Sequence, residues 1–468
     1  MADYPTDHEL QALIGPLKGA AIDAYMKQNG WMIGADHYSF TIVTQDASNT
    51  QEVTRPSPKD GEGGGKWSDS SLWMLGPDTS LGKRMDAQWK AEFDAIRTQI
   101  DETFSVWRYL PNPSDFVADM ELLRQVRVTL TSTVPSEWPQ GMGDIYGYLT
   151  TMNQDAHDMR GGVITNFKNK FLSMLPAAIV NMNLVALILG SAVGSEQEVW
   201  IKARNDVKTI ITTTTNSFST YAAQHGGDAS TDLTFSVIGA VLSGLGAFFP
   251  GADILKGVLA GVSASLSLVK AGYEYKQKVT SIPASSYDSI MEQFGNALAD
   301  LNAAIKQEEA ALQDSLTRNH DEILSNDAKN GFDLEHPLQD IKDPSDLGTV
   351  TIVRSAVDEI AGSCMPGIAD ELGAANYELR DVGANAGPWL RDDSIGLGEQ
   401  GCYGDWLSLK DLLTSLIGDL SWETSTSAKT LRLAINAFLN VDDEAAERLA
   451  QHAKQIDDGR GSPWDGRF

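Results

Sequence analysis

The residues of this chain best equipped for chemistry are seven histidines, two cysteines and a glycine-rich stretch that ends in lysine. A zinc hydrolase needs two imidazoles on one helix face with a glutamate beside the first, and no His-Glu-x-x-His occurs. His157 stands between Asp155 and Asp158, but residues this close along a helix point to different faces, so DAHD reads as a solvated polar turn. The stretch Arg55 to Lys66 (RPSPKDGEGGGK) reads as a mobile loop. A phosphate-cradling loop requires Gly, four residues, then Gly-Lys-Ser/Thr, whereas Asp60 holds the first position here and Trp67 follows Lys66. Asp392 and Asp393, followed by Gly396, Gly398 and Glu399, lack the spacing of an EF-hand loop. No Gly-x-Ser-x-Gly elbow is present. No set of nucleophile, base and oxyanion donor converges, so the expectation is a non-enzymatic protein with no cofactor and no metal. Cys364 and Cys402 allow either one disulfide in an oxidising compartment or two buried thiols, and their spacing does not choose.

The elements around these residues are helical by pattern. Met85, Trp89, Phe93, Ile96, Ile100, Phe104 and Trp107 recur at steps of three and four, the seam of one long helix, which Pro111 and Pro113 end. Such an aromatic stripe reads as core packing rather than a ligand shelf. A second helix is expected from about Ser114 to Thr131. A turn at Val134 to Gly143 leads to a long third helix from near Asp144 towards Gly226, kinked at Pro176 and softened near Gly190 and Gly194. Two apolar units, Phe235 to Phe249 and Ile254 to Val269, precede another long helix, Tyr287 to Leu324, with Ile290, Phe294, Leu298, Leu301, Ile305, Leu312 and Leu316 on one side.

These patterns predict an all-α fold: an elongated bundle of long antiparallel helices with a smaller C-terminal helical hairpin. Residues 1–82 are expected to be irregular, with Tyr38 to Val43 as a short strand. Residues 83–326 form the bundle, 327–348 a polar linker, 349–455 the C-terminal unit and 456–468 a disordered tail. Within that unit Val353, Val357, Ile360, Cys364 and Ile368 seed one helix, Gly383 to Gly404 is a glycine-rich connection, and Trp406 through Leu449 supplies one or two more helices.

The chain's 468 residues allow a large core, and its 42 % hydrophobic content suits a chain that folds in water. The net charge of −28 repels phosphate backbones, which disfavours nucleic-acid partners. Met1 to Asp7 holds two aspartates and no base ahead of any apolar stretch, so export is expected without a cleavable signal peptide.

Two places resemble substrates of the actinobacterial type VII secretion system. Trp138 and Gly141, in Trp-Pro-Gln-Gly, resemble the Trp-x-Gly turn of the small WXG-type helical hairpins, with one residue more between them. Thr349 to Gln455 resembles the EspC-like alanine-rich substrates, whose export signal is Tyr-x-x-x-Asp/Glu. That signal sets a ring and a carboxylate one turn apart on a helix face. Phe438 and Asp442 hold this spacing, with Phe for Tyr. Tyr377 and Asp381 fit the letters but sit in the preceding helix, where coincidence on a solvated face is the plainer reading. The resemblance implies a protein secreted or held in the cell envelope, handled by the secretion machinery or its chaperone, with a small helical protein as a further partner.

Phe171 to Ser195 carries no charge and is long enough to span a hydrocarbon layer, yet Pro176, Asn181 and Asn183 interrupt it. The pairs Gly190 with Gly194 and Gly257 with Gly261 permit close helix approach in a bundle or in a membrane. The alternative function is therefore a pore-forming or membrane-perturbing toxin that inserts residues 171–195 and 235–269 conditionally.

Overall fold

The computed structural model describes residues 4–43, 48–70, 80–131, 144–223, 232–237, 278–283, 285–325, 331–332, 334 and 351–440. They are mostly helical, in rough agreement with the all-α expectation, with a small antiparallel sheet beside the helices.

The described residues among the first eighty form helices and strands rather than an irregular region. Thr6 caps a helix through a reciprocal bond with Glu9, starting α1 (Asp7–Ala12), and α2 (Ile14–Gln28) follows almost at once. Strands β1 (Met32–Ile33), β2 (His37–Val43), β3 (Ser48–Thr54) and β4 (Trp67–Asp69) form an antiparallel meander in chain order. β2 includes the strand expected at Tyr38 to Val43; its neighbour β3 is too polar to announce itself. The sheet is tied to α2 by Asp23, which accepts from the Tyr38 hydroxyl at 2.7 Å and pairs with Arg55. Residues 55–66 are packed, not a free loop. Arg97 donates to the carbonyls of Gly61 (2.8 Å) and Gly63 (2.6 Å).

The aromatic seam lies on α3 (Ser80–Phe104) and the 3-10 turn behind it. Phe93, Ile96, Ile100, Phe104 and Trp107 are buried, and Met85 and Trp89 pack against the core at its edge. After α4 (Val117–Thr129), the expected long third helix is three pieces: α5 (Ile145–His157), α6 (Gly162–Asn166) with a π-helical turn Phe167–Leu172, and α7 (Leu175–Ala223). The break falls at Gly161, whose φ of 128° no helix accommodates, beside a backbone bridge between Arg160 and Thr351. Pro176 does not kink α7, because it occupies the first turn, where its missing N–H costs nothing. Gly190 and Gly194 lie inside this unbroken helix and are buried.

A two-stranded pair, β5 (Asp232–Val237) and β6 (Lys278–Pro283), precedes α8 (Tyr287–Leu324), whose ends and buried face are those the sequence predicts. The C-terminal part contains α9 (Arg354–Glu359), a π-helical turn Ile360–Cys364, α10 (Met365–Asp381) and α11 (Tyr403–Asn440). α10 and α11 pack on each other, and α2, α4, α8 and α11 all pack on α7. Among the described residues, buried apolar side chains from Leu10 to Ile435 form one continuous cluster. The stretch from Gly162 to Ala223 is long and apolar enough to cross a membrane, and 72 % of its most apolar window is buried in this fold.

Trp138, Gly141, the apolar units beyond Val237 with Gly257 and Gly261, Asp442 and the tail lie outside the described residues. Of the expected linker, Gly331, Phe332 and Leu334 are described. Phe332 and Leu334 are buried, and Asn181 donates to the Gly331 carbonyl at 2.6 Å.

Candidate functional site

Helical spacing places one acid in the core seam of each of two helices. On α7, Glu196 falls between Val193 and Trp200. On α8, Glu309 falls between Ile305 and Leu312. Their carboxylates meet Arg391 of the glycine-rich strap, residues 383–402. Arg391 Nη1 lies 3.5 Å from Glu196 Oε1, and Nη2 pairs with Glu309 Oε1. All three side chains are fully buried.

The surroundings are built to hold these charges. Trp200 Nε1 donates to Glu196 Oε1 at 3.0 Å, and the guanidinium stands 5.2 Å from the Trp200 ring centroid. The Leu397 N–H donates to Glu309 Oε2 at 2.7 Å, and Asn302 fastens the strap by donating to the Ser394 carbonyl (2.8 Å) and accepting from the Gly396 N–H (2.7 Å). Glycine is required twice. Gly396 and Gly401 have φ of 61° and 54°, and a methyl group on them would overlap Glu309 and Arg391 respectively. Around the knot Tyr403 stacks on Trp406, Trp389 is tilted against both, and Phe116 stands edge-on to Trp389. Trp406 Nε1 donates to the Leu189 carbonyl of α7 at 3.1 Å.

Two carboxylates facing one guanidinium cannot both stay ionised cheaply in such a site. Burial, then the charge of Glu196, pushes Glu309 up to about 8 against the opposing pull of Arg391. Burial also raises Glu196. At neutral pH the cluster therefore retains a proton, which belongs to the pair of carboxyls. Because its members have no contact with solvent, the cluster cannot meet a substrate as it stands; its work is to fasten the strap to α7 and α8.

Cys402 lies against this cluster, and burial followed by Glu196 and Glu309 raises its thiol well above the ordinary range. Cys364, in the π-helical turn, is raised to about 11 by burial and by Glu359 and Asp155. Both are free, buried thiols in this structure, set in different surroundings, which is the second of the two states the sequence allows.

Of the two export-signal pairs, Tyr377 and Asp381 are presented together: the Tyr377 side chain is 69 % exposed and Asp381 is exposed one turn further along α10. Phe438 falls in the last turn of α11, but only its backbone is described. Gly190 and Gly194 are core residues here. The reading from sequence missed Glu196, Glu309 and Arg391. The available signal was an acid standing on a helix seam where an apolar residue belongs. No family model matches the chain, and no curated protein or solved structure is detectably similar to it.

Proposed function

We propose that this is an exported, non-enzymatic helical protein of a type VII secretion pathway, acting as a binding or scaffolding factor in the envelope or outside the cell. In this reading the body is an elongated bundle, and α10 with α11 is the hairpin that the secretion machinery or its chaperone handles. What supports it is the i, i+4 spacing of Phe438 and Asp442 after the hairpin. Tyr377 with Asp381, both exposed on α10 as a solvated helix face leaves them, is the second candidate. Single and paired alanine changes at the two sites, scored by the amount of protein in culture medium against cytosol, test the proposal. Loss of export with Tyr377→Ala and Asp381→Ala assigns the signal to α10; loss with Phe438→Ala and Asp442→Ala assigns it to the end of α11. Undiminished export when all four are changed removes it from both.

A second reading, a membrane-perturbing toxin, draws on the apolar length of α7. It requires that the knot at Arg391 open and uncover that helix. Dye release from neutral and anionic liposomes is its test, and absence of leakage from micromolar protein over neutral to mildly acidic pH would end it.

A further inference from the structure

At the far side of the N-terminal region, the junction of α1 and α2, the turn at residues 57–61 and the end of α3 enclose an open cleft of about 440 Å³, within the range of small-molecule sites. Its polar lining is cationic. Asp101 is clamped at both oxygens, by Lys18 Nζ at 2.7 Å and by Arg108 Nη2 at 2.7 Å. The two cationic heads thus share one carboxylate, and Lys59 also lines the cleft. The other acid, Asp60, is engaged by its own turn. It accepts from the Glu62 N–H at 3.0 Å, and that bond, with one from Ser57, keeps its carboxyl below the usual range. Three cations thus face two carboxylates, Asp101, which Lys18 and Arg108 already hold, and Asp60, which its turn keeps ionised, so the lining has a net positive charge in a chain whose net charge is −28. Chance placement on so acidic a surface disfavours such a focus.

The cleft is also built rather than incidental. A methyl group on Gly15 would run into the backbone of Asp60, and one on Gly61 into Lys18, so both glycines exist where the turn must lie against α2. Arg97 fixes the same turn from behind. The Lys18 side chain is only 12 % exposed, held in place by Asp101 rather than swinging in solvent. Beside the charges stand Phe104 and Tyr109, the latter 70 % exposed.

We propose that this cleft binds a small phosphomonoester with a ring or apolar portion. A tetrahedral dianion offers acceptors to two ammonium groups and a guanidinium at once, which a planar monoanion cannot do as fully. The ring portion lies against Tyr109, an exposed aromatic otherwise without use. This activity is independent of how the protein is exported.

Calorimetric titration of the full chain with phenyl phosphate, inorganic phosphate and benzyl alcohol tests it. The expected result is saturable binding of phenyl phosphate, weaker binding of inorganic phosphate and none of benzyl alcohol. Lys59→Ala and Arg108→Gln should each lower affinity about tenfold, equivalent to about 1.4 kcal/mol, and together abolish it. Both residues are accessible, and unchanged thermal melting of the variants will show that the fold is kept. No saturable binding of phenyl phosphate overturns the proposal, as does binding that the double variant retains. A third arm uses phosphatidylcholine vesicles with and without phosphatidic acid. Retention on the acidic vesicles without affinity for soluble phenyl phosphate would overturn a soluble ligand in favour of a lipid headgroup.

Discussion

Arg391 and Glu309 form an ion pair with no exposed side-chain surface, joining the glycine-rich strap to the middle of α8. Glu196 completes it from α7.

Stability should fall as pH rises. An acid whose folded pKa is raised binds its proton more tightly in the folded chain, so its contribution is full below the unfolded value of 4.5 and is lost progressively up to about 8. Urea unfolding at pH 5 and pH 8.5 should show a loss of more than about 1 kcal/mol in the parent. In Glu309→Gln the loss should be smaller. Equal pH dependence in the two proteins would refute the assignment of the proton to this cluster.

Removing the cation alone should be costly. Arg391→Met leaves two buried carboxyls without their partner and should destabilise by about 3–5 kcal/mol, read from the denaturation midpoint. Replacing Glu196, Glu309 and Arg391 together by Met or Leu should recover most of that loss, because the desolvation cost disappears with the charges. If the triple variant is as weak as the single one, the knot does more than bind its own members.

Glycine substitutions should divide by location. Gly396→Ala and Gly401→Ala combine a left-handed backbone with overlap onto Glu309 or Arg391, and each should destabilise by more than about 1–2 kcal/mol. Gly373→Ala, on the exposed face of α10 with nothing near its methyl position, should stabilise by about 0.5–1 kcal/mol. Thermal melts of the three single variants check this ordering.

The thiols should be silent in the native protein. Cys364 and Cys402 are buried and held above the range in which thiolate forms at neutral pH. A thiol reagent should therefore label neither until denaturant is added, and then both. A bridged species on a non-reducing gel of native protein would contradict the structure.

Much of the helical frame was legible because long seams repeat. Tyr287–Leu324 is the helix its pattern predicts, and α3 buries the stripe that announces it. The N-terminal helices were missed although Thr6 and Glu9 spell a capping box, because α1 is only six residues long and α2 is apolar on too many sides to show a period. β3, SNTQEVT, carries a strand only because β2 offers it hydrogen bonds, a non-local cause. Glu309 was hidden in plain view: the seam of α8 passes from Ile305 to Leu312 through it. That the acid on α8 and the one on α7 meet the same arginine is a fact of tertiary packing, which no local spacing carries.

Trp406 reaches back to the Leu189 carbonyl, and Arg391 to Glu196, from residues far downstream of α7. The groups that cover α7 are therefore made well after it. In that interval of synthesis the nascent chain holds an apolar rod without this cover.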